Sequence, residues 1–175
     1  MKRMICLILI ISLCLCLPAC RTQQTETFQD PVAFYFLRAR TDTVDHGTPF
    51  SVIVPVTREG QGMRSNLSAL LNRYFSDPAT ETTRSPFPAG TYVISVSNDT
   101  DTLEITLTDA FATLTGLDLT LACACLTRTV LDLTGTGAVR ICAETNLLDG
   151  HPSITMDRSN LLLIDIATQP TDNER

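Results

Sequence analysis

Hydrophobic positions along the chain change period several times, and each change marks an element. Met4 to Leu17 is an unbroken apolar run behind Lys2 and Arg3. Val32 to Leu37 (Val-Ala-Phe-Tyr-Phe-Leu) is apolar at both parities, the pattern of a strand buried on both faces. After a polar loop over residues 40–49, Phe50, Val52, Val54 and Val56 alternate with Ser51, Ile53 and Pro55. This predicts a strand with the first set on one face, and Pro55 places it at an edge because proline cannot donate to a ladder. Leu67, Leu70, Leu71 and Tyr74 then fall at helical spacing, with Ser65 as the cap and Asp77-Pro78 as the stop. Residues 79–90, rich in Thr and Pro, read as loop.

The second half repeats the alternation. Thr91 to Val96 and Leu103 to Leu107 predict a hairpin around Asn98-Asp99-Thr100-Asp101, with Tyr92, Ile94 and Val96 on one face and Leu103, Ile105 and Leu107 on one face of the partner. Thr115 and Asp118 read as a capping box for a second helix. Its stripes are Leu119, Cys123, Leu126, Val130 and Leu133, and Leu117, Leu121, Ala124 and Leu131. A helix apolar around its girth belongs inside a core, and Gly135 suits its C-terminal cap. Ala138 to Ala143 predicts a strand with Val139, Ile141 and Ala143 inward and Arg140 and Cys142 on the other face. Asp149-Gly150 is a turn, Leu161 to Ile166 a last strand, and residues 167–175 a polar tail. The expected fold is α+β in one domain over residues 32–166: a mixed β-sheet with two packed helices, in the approximate order β-β-α-β-β-α-β.

The N-terminal run changes the reading of everything after it. It is too short for a bilayer span, which takes about 20 apolar residues, and its charge and position are those of a signal peptide. Leu17-Pro18-Ala19-Cys20 resembles the lipobox of bacterial lipoproteins. That resemblance implies cleavage after residue 19 and a diacylglycerol on the Cys20 thiol. Residues 20–31 then form a lipidated, polar tether, and the expected location is the extracytoplasmic face of the cell membrane, with membrane lipid as one partner. The formal charge of −6 becomes −8 once Lys2 and Arg3 leave, with eleven arginines against nineteen acidic residues. An acidic chain without a basic run is a poor nucleic-acid binder. Of seven cysteines, Cys6, Cys14 and Cys16 leave with the signal and Cys20 carries the lipid. Cys123, Cys125 and Cys142 remain; the first two lie two apart on a helix, on nearly opposite faces, so all three are expected as free thiols.

Candidate chemistry is sparse. Gly60-Gln61-Gly62-Met63-Arg64-Ser65 imitates a dinucleotide loop, but Ser65 replaces the third glycine and a linker with a helix cap explains it. No Gly-x-Ser-x-Gly elbow occurs, and the two histidines, His46 and His151, both fall in loops. Asp99 and Asp101 hint at a calcium loop, but Glu104 and Ala110 stand where an EF-hand needs Gly and Glu. No catalytic residue, cofactor or metal is therefore expected. The alternatives are an envelope hydrolase using Asp109 or Glu104 and a lipoprotein that binds a small ligand.

Several segments, in order, resemble the GerMN (sporulation and spore germination) domain between about residues 67 and 143. They are Leu67-Ser68-Ala69-Leu70-Leu71 for its first helix and Phe87-Pro88-Ala89-Gly90-Thr91 for its Pro-x-Gly-Thr strand entry. Leu103-Glu104-Ile105-Thr106-Leu107 through Phe111 matches its second hairpin strand, and Leu126-Thr127 followed by Gly137-Ala138-Val139-Arg140-Ile141 its helix-to-strand ending. The resemblance implies a non-catalytic interaction module in the envelope of a spore-forming bacterium, with an envelope or sporulation protein as partner. Its best-known members carry two tandem copies; this chain has room for one.

Overall fold

A computed structural model describes residues 30–39, 52–78 and 80–161 of the chain. The signal segment, Cys20, the tether before Asp30, His46, Phe50, Ser51 and the expected strand beyond Leu161 lie outside the described residues. Strands β1 (Pro31–Arg38) and β2 (Ile53–Glu59) lead through a 3₁₀ turn at Met63–Ser65 into helix α1 (Leu67–Ser76). Then come β3 (Thr83–Arg84), β4 (Val93–Asp99), β5 (Thr102–Leu107), a 3₁₀ turn at Phe111–Thr113, helix α2 (Gly116–Thr134), β6 (Ala138–Ala143) and β7 (Ile154–Asp157). The fold is α+β, and its strands divide between two sheets, β2-β1-β3 and β4-β5-β6-β7.

Helix α2 lies between the two sheets, packing on β1 from one side and on β6 and β7 from the other. This is why its sequence is apolar on every face: Leu119, Leu121, Cys123, Cys125, Leu126, Val130 and Leu131 are all buried. Each large aliphatic side chain hidden this way contributes roughly 1.5–3 kcal/mol. Gly135 ends the helix in the left-handed region at φ 73°, its N–H donating to the Leu131 carbonyl at 3.0 Å. β5 and β6 are parallel neighbours joined by α2, while β4 and β7 add antiparallel at the two edges.

β1 is buried at both parities, as its composition demands: Val32, Phe34, Tyr35, Phe36 and Leu37 are all in the core. β2 pairs along its length, with Pro55 opposite Tyr35, but β3 reaches only Leu37 and Arg38. Where β3 stops, side chains take over the ladder's role. The Tyr35 N–H donates to Thr129 Oγ1 of α2 at 3.1 Å, and the Tyr74 hydroxyl of α1 donates to the Tyr35 carbonyl. Burial pushes the Tyr74 phenol well above its ordinary pKa, so it stays a donor. Around it Phe34, Phe36, Phe75 and Phe87 place their rings at 4.8–5.7 Å, binding β1, α1 and the 85–90 segment into one cluster.

Several expectations need correction. In β2 the buried residue is Ile53, while Val52 just before the strand is exposed. In β4 the inward residue is Val93, and Tyr92 and Ile94 are exposed. The cause is a β-bulge: Val93 faces Leu107 and Ser95 faces Thr106, so Ile94 is the extra residue. The slip turns Val96 toward Ile105, half-buried, on Val93's face. Helix α1 is capped by Asn66, whose Oδ1 accepts from the Ala69 N–H at 3.1 Å, not by Ser65. Thr115 holds the N-cap position of α2, but its side chain makes no capping bond, and Leu117 in the first turn is exposed. The segment read as loop over residues 79–90 contains β3, β7 forms in a stretch with no expected element, and Leu161 is buried but lies outside any strand.

Candidate interaction surface

Most of the large exposed apolar side chains among the described residues lie at one end of the four-stranded sheet. Because β5 and β6 are parallel, their C-terminal ends lie side by side, and α2 starts from the same end. Three hydrogen-bonded clasps fasten the loops there. Thr108 donates its N–H to the Tyr92 carbonyl at 3.1 Å and its hydroxyl to the Gly90 carbonyl at 2.8 Å, tying the entry of β4 to the exit of β5. Asp109 accepts from the Thr145 and Asn146 N–H groups at 2.9 and 3.0 Å and from the Thr145 hydroxyl, tying β5 to the loop after β6. Asp149 Oδ2 accepts from the Gly116 N–H at 3.1 Å, tying that loop to the start of α2. The loop closes on Asp149-Gly150, both at positive φ (49° and 85°), with Leu148 and His151 exchanging backbone bonds at 2.8 and 2.9 Å.

Between these clasps the loop buries Leu148 completely and displays Leu147 at 56% exposure. Tyr92 (52%) and Ile94 (44%) project from β4 at the same end, and Leu117 (67%) from the first turn of α2. Scattered exposed apolar residues need no explanation. Here four of the five large exposed apolar side chains among the described residues share one rim, the fifth being Val52. The rim is also acidic. Asp109, Asp118, Glu144 and Asp149 lie on it, and neither residues 106–127 nor residues 141–157 contain a Lys or Arg.

The residues singled out from sequence as candidate chemistry are placed elsewhere or already engaged. Hydrogen bonds from the Thr145 hydroxyl, then its N–H and that of Asn146, hold the Asp109 carboxyl below its usual range, opposite to what a general acid needs. Glu104 pairs with Arg140 at 3.2 Å on the sheet face away from the helices. Asp101 takes the Gly137 N–H on Oδ1 at 3.0 Å and on its carbonyl at 3.1 Å, fixing the approach to β6. His151 is exposed in its turn. Gly60 donates to the Asp30 carbonyl at 2.6 Å, and Gln61 and Gly62 have positive φ, so the glycine pair forms a tight turn into α1. Among the described residues no group of three or more His, Cys, Asp or Glu is placed to hold a metal ion, and no helix is long and apolar enough to cross a membrane.

Cys123, Cys125 and Cys142 are free thiols. Burial pushes Cys123 up to about 12 and Cys125 higher still. Cys142 sits opposite Thr106 on the face away from α2, and partial burial followed by the Glu104 charge raises it. Neither the rim nor the bulge was readable from the chain: Leu147 and Leu148 are identical neighbours with opposite fates, and Ile94 ends the apolar run Tyr92-Val93-Ile94, which does not say which parity faces inward.

A search of curated proteins finds no match, and neither does a search of solved structures. A family model described as sporulation and spore germination (Germane) matches residues 33–149, wider than the segments that carry the sequence resemblance. With the elements from Ala33 in β1 to the Asp149 clasp inside that match, the chain belongs to the GerMN, sporulation and spore germination, family.

Proposed function

We propose that this protein is a non-enzymatic, lipid-anchored module of the cell envelope whose GerMN domain binds a protein partner during sporulation or germination. The observation that carries this reading is the clustering of exposed apolar side chains on a rim whose loops are held by side-chain clasps. A fixed apolar surface of this kind suits protein contact, and its carboxylates Asp109 and Asp149 are occupied in building it. Family membership supplies the physiological setting. The anchor rests on the lipobox-like Leu17-Pro18-Ala19-Cys20. Each buried methylene contributes about 0.8 kcal/mol, and stable anchoring takes more than one acyl chain. Only nine residues separate Cys20 from Asp30, a short connection that would keep the domain close to the outer face of the membrane.

A deletion strain complemented with wild type, with Cys20→Ala or with a Tyr92→Ala/Leu147→Ala rim variant tests the reading. Fewer heat-resistant or germinating spores in the deletion, and failure of the rim variant at normal protein level, are expected. Normal spores in the deletion strain sink the physiological assignment. Fatty-acid labelling that is equal in wild type and Cys20→Ala sinks the anchor.

A further inference from the structure

We infer that the occupant of the rim is a basic amphipathic protein segment, one that offers apolar residues to Tyr92, Ile94, Leu117 and Leu147 and Arg or Lys to Asp118 and Glu144. This rests on the reading of the domain as a protein-binding module and specifies its partner's chemistry. The apolar residues set the contact: Tyr92 is a side-chain type that anchors interfaces, with a ring for packing and a hydroxyl for the edge. The charges set the sign. Asp118 and Glu144 are exposed beside the apolar positions, and no cation is contributed by the rim's own segments. An acidic partner would meet like charge, which costs affinity and slows encounter, whereas a basic one is steered in. The same argument disfavours a second copy docking rim to rim, since both surfaces would be acidic, and an anionic lipid surface. Size is consistent with a short helix. Four adjacent strands at about 4.8 Å spacing make a rim about 14 Å wide before its loops, which a helix of about 14 residues, about 21 Å long, covers.

The test immobilises three synthetic helical peptides of about that length and passes the purified full chain over them in detergent micelles. One peptide carries a Leu face and an Arg face; the second replaces Arg by Glu; the third scrambles the Leu face at constant composition. Because every variant is carried in the same micelles, differences between variants report the rim. The wild-type chain is expected to bind the Leu/Arg peptide, at least tenfold better than the other two, and to lose that preference as salt rises. Tyr92→Ala/Leu147→Ala should weaken binding at least tenfold, and Asp118→Asn/Glu144→Gln should weaken it severalfold and flatten the salt dependence. Urea midpoints for both double variants establish that they fold. Equal binding of the Glu peptide, or wild-type binding by the folded rim variants, overturns the inference. So does self-association of the wild-type chain in sedimentation that the rim variants abolish, or rim-dependent binding to phosphatidylcholine vesicles. Those outcomes leave the broader protein-binding reading to its own test, the spore phenotype of the rim variant.

Discussion

Thr127 and Thr129 are both completely buried on helix α2, two residues apart, yet replacing each with the isosteric valine should have opposite consequences. Thr129 Oγ1 accepts the Tyr35 N–H at 3.1 Å and donates to the Cys125 carbonyl at 2.9 Å. Tyr35 needs that acceptor because β3 pairs with β1 only at Leu37 and Arg38. Valine fills the same volume, so Thr129→Val opens no cavity and the lost acceptor dominates. A buried donor left unsatisfied costs about 1–3 kcal/mol. The Cys125 carbonyl loses less, since it sits within the helix ladder. Thr127 Oγ1 has no hydrogen-bond partner among the described residues. Thr127→Val removes a buried hydroxyl with nothing to lose, so stability should stay level or rise by up to about 1 kcal/mol. Urea unfolding followed by circular dichroism checks both. With a slope of about 2 kcal/mol/M, Thr129→Val should lower the midpoint by about 0.5–1.5 M and Thr127→Val should not lower it. Thr129→Ser, which keeps the oxygen, should recover most of the loss. A neutral Thr129→Val, or a Thr127→Val as damaging as Thr129→Val, would falsify the idea that side chains of α2 complete the ladder of β1.

Further predictions follow from the clasps and the thiols. A Cβ on Gly137 would lie 1.9 Å from Asp101 Oδ2, so Gly137→Ala should cost about 1–2 kcal/mol by expelling the carboxylate; in an Asp101→Ala background the cost should shrink, and an unchanged cost in that double-mutant cycle contradicts the contact. Asp109 has a depressed pKa, so its contribution is complete above the unfolded carboxylate value of about 3.9 and is lost as pH falls through the lower folded value. The protection of the Thr145 and Asn146 amides, taken relative to their intrinsic exchange rates, should therefore fall only at acid pH, and in Asp109→Asn this acid step should vanish. Cys142, half-exposed, should be the first thiol alkylated by iodoacetamide in the native protein, with Cys123 and Cys125 modified only after denaturation; labelling of Cys123 before Cys142, read by peptide mass, would contradict the burial of α2.

The elements legible in the chain are those whose burial is uniform. β1 is apolar at both parities because helices and strands cover both its faces, and α2 is apolar all round because it has a sheet on each side. β6 alternates cleanly because only one of its faces meets α2. What the sequence conceals is set by distant partners. β3 is two residues long and exists through its pairing with Leu37 and Arg38, and β7 (Ile-Thr-Met-Asp) is four residues held by β6. The division of the strands into two sheets leaves no local trace, since each strand only needs an apolar face, whichever layer covers it. The bulge at Ile94 hides in the apolar run Tyr92-Val93-Ile94, where either parity could face inward and no Gly or Pro marks the position at which the faces of β4 exchange. Cap choice is similarly ambiguous: Ser65 and Asn66 are adjacent and comparable as N-caps, and the 3₁₀ turn that takes in Ser65 decides between them. The apolar rim was hidden for the same reason, because exposure of Leu117 and Leu147 depends on where three carboxylate and hydroxyl clasps pull the loops.

The placement of α2 between the sheets also governs the order in which the domain is completed. β1, near the start of the chain, gains its main covering only from a helix that begins at Gly116, and that helix is covered on its other side by β7, which ends at Asp157. Neither sheet has a finished interior without α2, so the two should melt in one cooperative transition rather than as separate units. During synthesis β1 can meet β2 and α1 early, but its covering stays incomplete until α2 and then β7 have emerged. A polypeptide that stays open until β7 arrives is still a thread for most of its time on the ribosome, and the topology thereby postpones folding until the last element of the four-stranded sheet has been made.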